Sequence, residues 1–384
     1  MSYKTYKIAE LIKEIAMGPF GSNIKVECFV DKGVPVLNGS NLEGFALSEK
    51  EFRYVTPEKA ASLKKANASR GDVVITHRGT LGQIVYIPET SKYERYVISQ
   101  SQFRVRCNEK ILPEYMVYYF HTAIGQHKLL SNASQVGVPA LARPSSTFQQ
   151  IEIEVPDIDA QRRVVAVLNT IQSKINCNSK INDNLQQQAR ALFESWFVSF
   201  DQTDGEMPAD WREGTLGELA TITSGKRPPM KQPTATADVK IPLVGAAAIM
   251  GFTNAVLYNE PILVTGRVGT HGVVQRFQSP CWTSDNTLVI KSKFYEYAFQ
   301  SLQRVDYVNM NRGSTQPLIT QTDLKNVSII IPTEAVLLEY EKIAGTLMAM
   351  YESNRNENER LALLRDTLLP RLINGEINVS DINI

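Results

Sequence analysis

The chain repeats itself, and that constrains its fold more than any other feature. Residues 75–82 read ITHRGTLG, and residues 264–272 read VTGRVGTHG. Thr76 and Thr265 are 189 apart, as are Arg78 and Arg267, while Gly79/Gly269 and Gly82/Gly272 are 190 apart. Ser99 matches Ser284 at 185, and Gly137/Gly313 and Pro156/Pro332 match at 176. Upstream, Glu10 in IAELIKEI matches Glu218 in LGELATIT at 208. The offset shrinks by 32 residues between the two ends of the repeat, so the ends agree and the middles differ. A shared scaffold carrying different contents has that signature.

Each copy opens with short β-type runs, DVVIT, QIVYI and FRVRC in the first and PILVT, GVVQRF and TLVIK in the second, separated by Gly, Pro and Asn. Helical segments are expected near 113–131 and 294–305. The fold expected is α+β, with two similar domains built on curved sheets, at 1–156 and 216–332.

A long helix follows each domain, at 157–200 and 333–375. Val164, Leu168, Ile171, Ile175, Asn178, Asn182, Leu185, Ala189, Leu192 and Trp196 step by four and three, a heptad seam. Each helix of about 40 residues would be about 60 Å long. At the 176 offset, Asn178 and Asn182 become Asn354 and Asn358. Buried Asn in a coiled coil costs stability and fixes register; polar, exposed mid-helix segments are the plain alternative. Pro370 should kink or end the second helix. Residues 201–215 read as a polar linker, and 376–384 as a tail.

Composition excludes little. Of 384 residues, 43% are hydrophobic and 21% charged, and the net charge is +1. Residues 1–156 carry net +4 and residues 201–332 carry none, too mild for wrapping nucleic acid by charge alone. Four scattered cysteines without a C-x-x-C, and no apolar run of spanning length, point to a reduced, cytoplasmic protein and away from a membrane. His and Cys spacing offers no metal site, and no P-loop, nucleophile elbow or dinucleotide loop occurs. Asp157 and Asp159 sit where a helix N-terminus favours acids.

The informative residues are therefore loop polar groups, which can read base edges or hold phosphates. They are Asn38, Ser40, Asn41, His77, Arg78, Thr80, Gln100, Gln102 and Arg143 in the first copy. In the second they are Lys226, Arg227, Arg267, Thr270, His271, Asp285, Asn286 and Arg312. Arg78 and Arg267, present in both copies, suit phosphate contact. The unmatched Asn38, Ser40, Gln100, Gln102, Lys226, Arg227, Asp285 and Asn286 suit base reading.

LFESWFVSF followed by MPADWREGTLGEL, with RGDVVITHRGTLG, GVPALARPSSTFQQIEIEVP and LLPRLINGEI, resembles the specificity subunit of Type I restriction–modification systems across essentially the whole chain. The resemblance implies two target-recognition domains separated by two long antiparallel helices, each domain reading one half of a split site in double-stranded DNA. It implies helices that set the spacing and dock two methyltransferase subunits, with restriction/translocase subunits joining. The subunit would be non-catalytic, with S-adenosylmethionine, ATP and Mg held by its partners. Half-site centres about one DNA turn apart, ~34 Å, are expected. A DNA-free coiled-coil scaffold presenting two β-rich domains to protein ligands is the alternative from another class.

Overall fold

The structure is a computed structural model that describes residues 2–19, 23–134, 137–268, 272–310 and 318–379. It divides into two units: residues 1–176 with 357–384, and residues 177–356. Each unit holds one β-rich domain together with about half of each long helix.

In the first unit a four-stranded antiparallel sheet runs in the order Ile12–Met17, Gln102–Cys107, Asp72–Thr76, Ile84–Tyr86. Asp72–Thr76 is buried throughout, as its β-branched run DVVIT demands. Asp72 tolerates burial because Arg106 approaches both its carboxylate oxygens, at 2.7 and 3.1 Å. A five-stranded sheet lies beside it, and Tyr3–Lys7 pairs with Glu152–Pro156. Helix Pro113–His121 closes the core with Tyr115, Met116, Tyr118 and Phe120.

The second unit repeats the plan. Its four-stranded sheet runs Ala220–Ser224, Thr287–Ser292, Ile262–Gly266, Gln275–Phe277, and Arg212–Thr215 pairs with Ser328–Ile331. Helix Tyr295–Gln303 takes the place of Pro113–His121. The Glu10/Glu218 match is a duplicated cap: Lys7 N donates to Glu10 Oε2 and Thr215 N to Glu218 Oε1, both at 2.8 Å. Arg212–Thr215, expected to close the linker, is instead a strand, because the edge of Ser328–Ile331 needs a hydrogen-bonding partner.

The long helices span Ile158–Phe197 and Glu334–Ile373. Asp157 caps the first, accepting from Ala160 N at 2.9 Å. Pro370 does not stop the second, which continues to Ile373. A proline near the C-terminus displaces only the last turn, where the backbone is already leaving its ladder.

Within each unit the two helices run antiparallel. In the first, Gln172 Oε1 accepts from Arg365 at 2.7 Å and Lys174 pairs with Glu357 at 3.2 Å, while Val164 and Leu168 share a core with Leu369, Leu372 and Ile373. In the second, Phe193 and Phe197 share a core with Leu337, Tyr340 and Ala344. Of the expected seam, Val164, Leu168, Asn178, Asn182, Leu185 and Ala189 are buried and Ile171, Ile175, Leu192 and Trp196 half-buried; toward the C-terminus the buried positions are Phe193 and Phe197, one residue off the expected seam. Asn182 Nδ2 donates to Tyr351 O at 3.1 Å and Asn354 Nδ2 to Asn182 Oδ1 at 3.0 Å. In the first unit Asn358 Nδ2 donates to Ile175 O at 3.3 Å. Asn182 and Asn358 are 176 apart, and so are Ile175 and Tyr351, so the duplication has copied one hydrogen bond into both units.

Candidate nucleic-acid interface

The backbone corrects the alignment of the opening motif. His77 N donates to Ser101 O and Arg267 N to Asn286 O; Leu141 N donates to His77 O and Ile319 N to Arg267 O. Thr76 lies opposite Gln102, and Gly266 opposite Thr287. His77 and Arg267 are therefore equivalent, and Arg78 is equivalent to Val268, at an offset of 190 that agrees with the glycines. Arg78 and Arg267 sit one residue apart on the common scaffold, and in extended chain adjacent side chains point oppositely. The expectation that they form a matched pair is corrected.

The equivalences extend to neighbouring loops. Gly18 N donates to Gln102 O and Gly225 N to Thr287 O. Both must be glycine, since a Cβ would lie 1.9 Å from Ser99 O or 2.1 Å from Ser284 O. This close approach brings the turn after Ile12–Met17 against the turn before Gln102–Cys107, and likewise in the second domain. Pro19 thus matches Lys226, Gln100 matches Asp285, and Ser101 matches Asn286: one framework, different side chains.

In the first domain, Arg78, Thr80 and Gln100 are exposed, and Gly79 and Gly82 turn the chain at φ 90° and 87°. His77 is half-buried, its Nε2 3.1 Å from Gln100 O. Burial holds its pKa below the ordinary 6.5, with adjacent Arg78 acting in the same sense, so it is neutral near pH 7. Asn38 and Ser40 are exposed but linked, Ser40 N and Oγ both donating to Asn38 Oδ1. Arg143 is exposed with φ 45° at the start of helix Pro144–Gln150.

Two expected DNA-facing residues are buried. Asn41 accepts from Asn38 N and donates to Ser48 O and Lys50 O, pinning its loop from within. Gln102 accepts from Ser99 N at 2.9 Å and is fully enclosed. Both are loop struts, because buried loop backbone must find polar partners.

In the second domain Lys226, Arg227, Asp285 and Asn286 are exposed and Arg267 half-buried. Lys226 is held by its backbone, N donating to Thr283 O and O accepting from Trp282 Nε1 at 2.7 Å. Thr270, His271 and Arg312 lie outside the described residues.

The first domain also has a groove that the sequence did not reveal. It gathers His77, Arg78 and Gln100 with Lys59, Lys64 and Lys65, and among the described residues its lining contains no Asp or Glu. The three lysines were missed because their helical turn meets Ile15–Pro19 only in three dimensions. The available signal was local: Thr56 as cap and Pro57 next to it announce a helix whose Ala60 is buried.

No group of three or more His, Cys, Asp or Glu residues that could hold a metal occurs among the described residues, and no described helix is long and apolar enough to cross a membrane.

A family model for the Type I restriction modification DNA specificity domain matches residues 3–187 and again 208–365. The Type I restriction enzyme MjaIX specificity subunit of Methanocaldococcus jannaschii is 23% identical over 382 residues, covering 89% of this chain and 86% of that protein. The HindI specificity subunit of Haemophilus influenzae is 23% identical over 415 residues, covering 82% and 88%. The crystal structure of the S subunit of a Type I restriction–modification system from M. genitalium shares the fold, with a TM-score of 0.66 over 97% of this chain and 96% of that one at 15% identity. The two matched segments take in most of the sequence and coincide with its internal repeat, and the chain belongs to the Type I restriction modification DNA specificity domain family, of which it carries two copies.

Proposed function

We propose that this chain is the DNA sequence-specificity subunit of a Type I restriction–modification complex, and that each domain reads one half of a bipartite site in duplex DNA. The observation that carries this reading is the pair of equivalent frameworks bearing different side chains. Pro19, His77 and Gln100 stand in one where Lys226, Arg267 and Asp285 stand in the other. A repeated scaffold with unlike presented groups is what two unlike half-sites require.

The long helices set the separation of the half-sites and dock two methyltransferase subunits, with restriction/translocase subunits completing the complex. The chain itself does no chemistry; S-adenosylmethionine, ATP and Mg belong to its partners, and the assembly works in the cytoplasm. Arg78, exposed beside three lysines, contacts phosphate. Arg267, half-buried beside Asp285 and Asn286, reads a base, as do Gln100 and Lys226.

Methylation-sensitive sequencing of DNA from cells expressing the chain with its modification partner tests this. A split site with an unread spacer is expected, and exchanging residues 1–150 for another family member's first domain should change one half only. A contiguous site, or a swap that altered both halves, would refute the reading.

A further inference from the structure

The lysine turn beside the groove has no counterpart in the second domain. In the first, residues 56–66 join strand Arg53–Val55 to strand Asn67–Ser69 through helix Pro57–Ser62 and a 3-10 turn, Lys64–Ala66. Ala68 lies opposite Tyr96. The equivalent bridge in the second domain joins Tyr258 to Cys281, and only residues 254–257, Asn-Ala-Val-Leu, connect it to the preceding strand. The insertion therefore brings Lys59, Lys64 and Lys65 to one domain alone.

Its geometry is fixed from behind. Asn67 Nδ2 donates to Ala60 O and Lys64 O, each at 2.8 Å. Arg104 Nε donates to Lys65 O at 3.1 Å, and Arg104 is itself buried and paired with Glu14 at 3.0 Å. Lys64 occupies the left-handed region at φ 44°. With their carbonyls bound inward, Lys64 and Lys65 keep exposed side chains over the groove, and half-buried Lys59 joins them. A three-lysine patch on a braced backbone, next to Arg78, without acidic neighbours in the lining, matches a row of phosphates and carries no base-reading geometry.

We propose that Lys59, Lys64 and Lys65 are a phosphate clamp for the DNA backbone flanking the first domain's half-site, so that the first domain anchors the DNA while the second relies on base contacts. The inference rests on the reading of the chain as a DNA specificity subunit. It goes beyond that reading in assigning unequal electrostatic roles to the two domains.

The test uses the full-length chain co-expressed with its modification subunits. The variant is Lys59→Gln, Lys64→Asn and Lys65→Gln, with Asn chosen for the left-handed position. Lys7→Gln, Lys13→Gln and Lys110→Gln, at the opposite end of strand Ile12–Met17, form a charge-matched control. Affinity is measured from about 50 to 200 mM salt for a duplex carrying the methylated site and for a scrambled duplex of equal length. Each lost phosphate contact should make the log–log salt slope shallower by about 0.9. A change of about 2–3 is expected on both duplexes, with the methylated sequence unaltered. Lys65→Gln alone, on an exposed side chain, should give about 0.9 with an unchanged melting temperature, so misfolding cannot imitate the result. An unchanged slope, a slope matching the control, or a changed base preference would overturn the clamp. Absence of any preference for the methylated site in the unaltered complex would instead overturn the specificity reading.

Discussion

Glu341→Gln should flatten the pH dependence of the second unit's stability. Glu341 lies on the second long helix, and its carboxylate accepts from Glu296 N at 3.1 Å and Tyr297 N at 2.8 Å at the start of helix Tyr295–Gln303. Burial pushes its pKa from 4.5 up to about 7, with the Glu296 carboxylate adding to the rise; the two backbone donors and Arg276 oppose it. The folded state therefore holds a proton that the unfolded chain releases, and stability falls as pH rises from about 4.5 to about 7 before levelling. At about 1.36 kcal/mol per pH unit the full shift is worth about 3 kcal/mol. Residual solvent access at the carboxyl reduces this to roughly 1–2 kcal/mol between about pH 5 and pH 8. Glutamine cannot ionise, but it offers one acceptor to two N–H groups that donate to different oxygens of Glu341, a pH-independent cost that leaves the slope as the readout. The protein's three tryptophans, Trp196, Trp211 and Trp282, all belong to the second unit, so urea unfolding followed by their fluorescence reports on the unit in question. The variant's stability relative to the parent should rise by about 1–2 kcal/mol over that pH range. Parallel pH profiles for the two proteins would show that Glu341 is not held protonated by its surroundings.

Arg78→Ala should weaken binding to all duplexes alike and lower the salt slope by about 1, whereas Arg267→Ala should relax one position of one half-site at a cost of roughly 1–3 kcal/mol. Identical behaviour of the two variants in methylation sequencing and salt titration would refute the assignment of different roles to them. Asn182→Leu with Asn358→Leu removes the hydrogen bonds to Tyr351 O and Ile175 O and the one Asn182 accepts from Asn354, each worth about 0.5–1.5 kcal/mol, and places leucines in the seam that return about 1.5–3 kcal/mol apiece. Melting temperature should hold or rise while the spacer between methylated half-sites becomes heterogeneous, and a single unchanged spacer would refute a register role.

The sequence made the ends of the repeat legible because they are structural. The offset of 208 at Glu10/Glu218 and of 176 beyond Pro156 recur in the hydrogen bonds Ile8 N to Ile151 O and Leu216 N to Val327 O. The seam was legible because helical periodicity follows from burial. The middle misled by its letters. Thr-x-Arg aligns at 189, while the strands pair at 190, and a one-residue slip exchanges the faces of every side chain. Asn41 and Gln102 have the chemistry of base readers, but enclosure commits them to their own loops. Polarity in a loop does not distinguish a presented group from a strut; only the partner does. The lysine turn was invisible because its importance depends on Ile15–Pro19, some 40 positions earlier in the chain.

The long helices divide two duties along their length. Near both ends of each helix the seam is apolar and shared with a domain core: Val164 and Leu168 with Leu369 and Leu372 in the first unit, Phe193 and Phe197 with Tyr340 and Ala344 in the second. Burial there supplies adhesion, which is indifferent to small shifts because apolar contact is non-directional. Between those regions the seam turns to asparagine, and a hydrogen bond from Asn182 to Tyr351 O or from Asn358 to Ile175 O exists only at one register. A slip by a heptad would break these hydrogen bonds, including that from Asn354 to Asn182. The polar residues thus contribute little net stability and most of the selection among registers. On the proposed function, that division suits a spacing element, in which register matters more than the total strength with which the helices adhere.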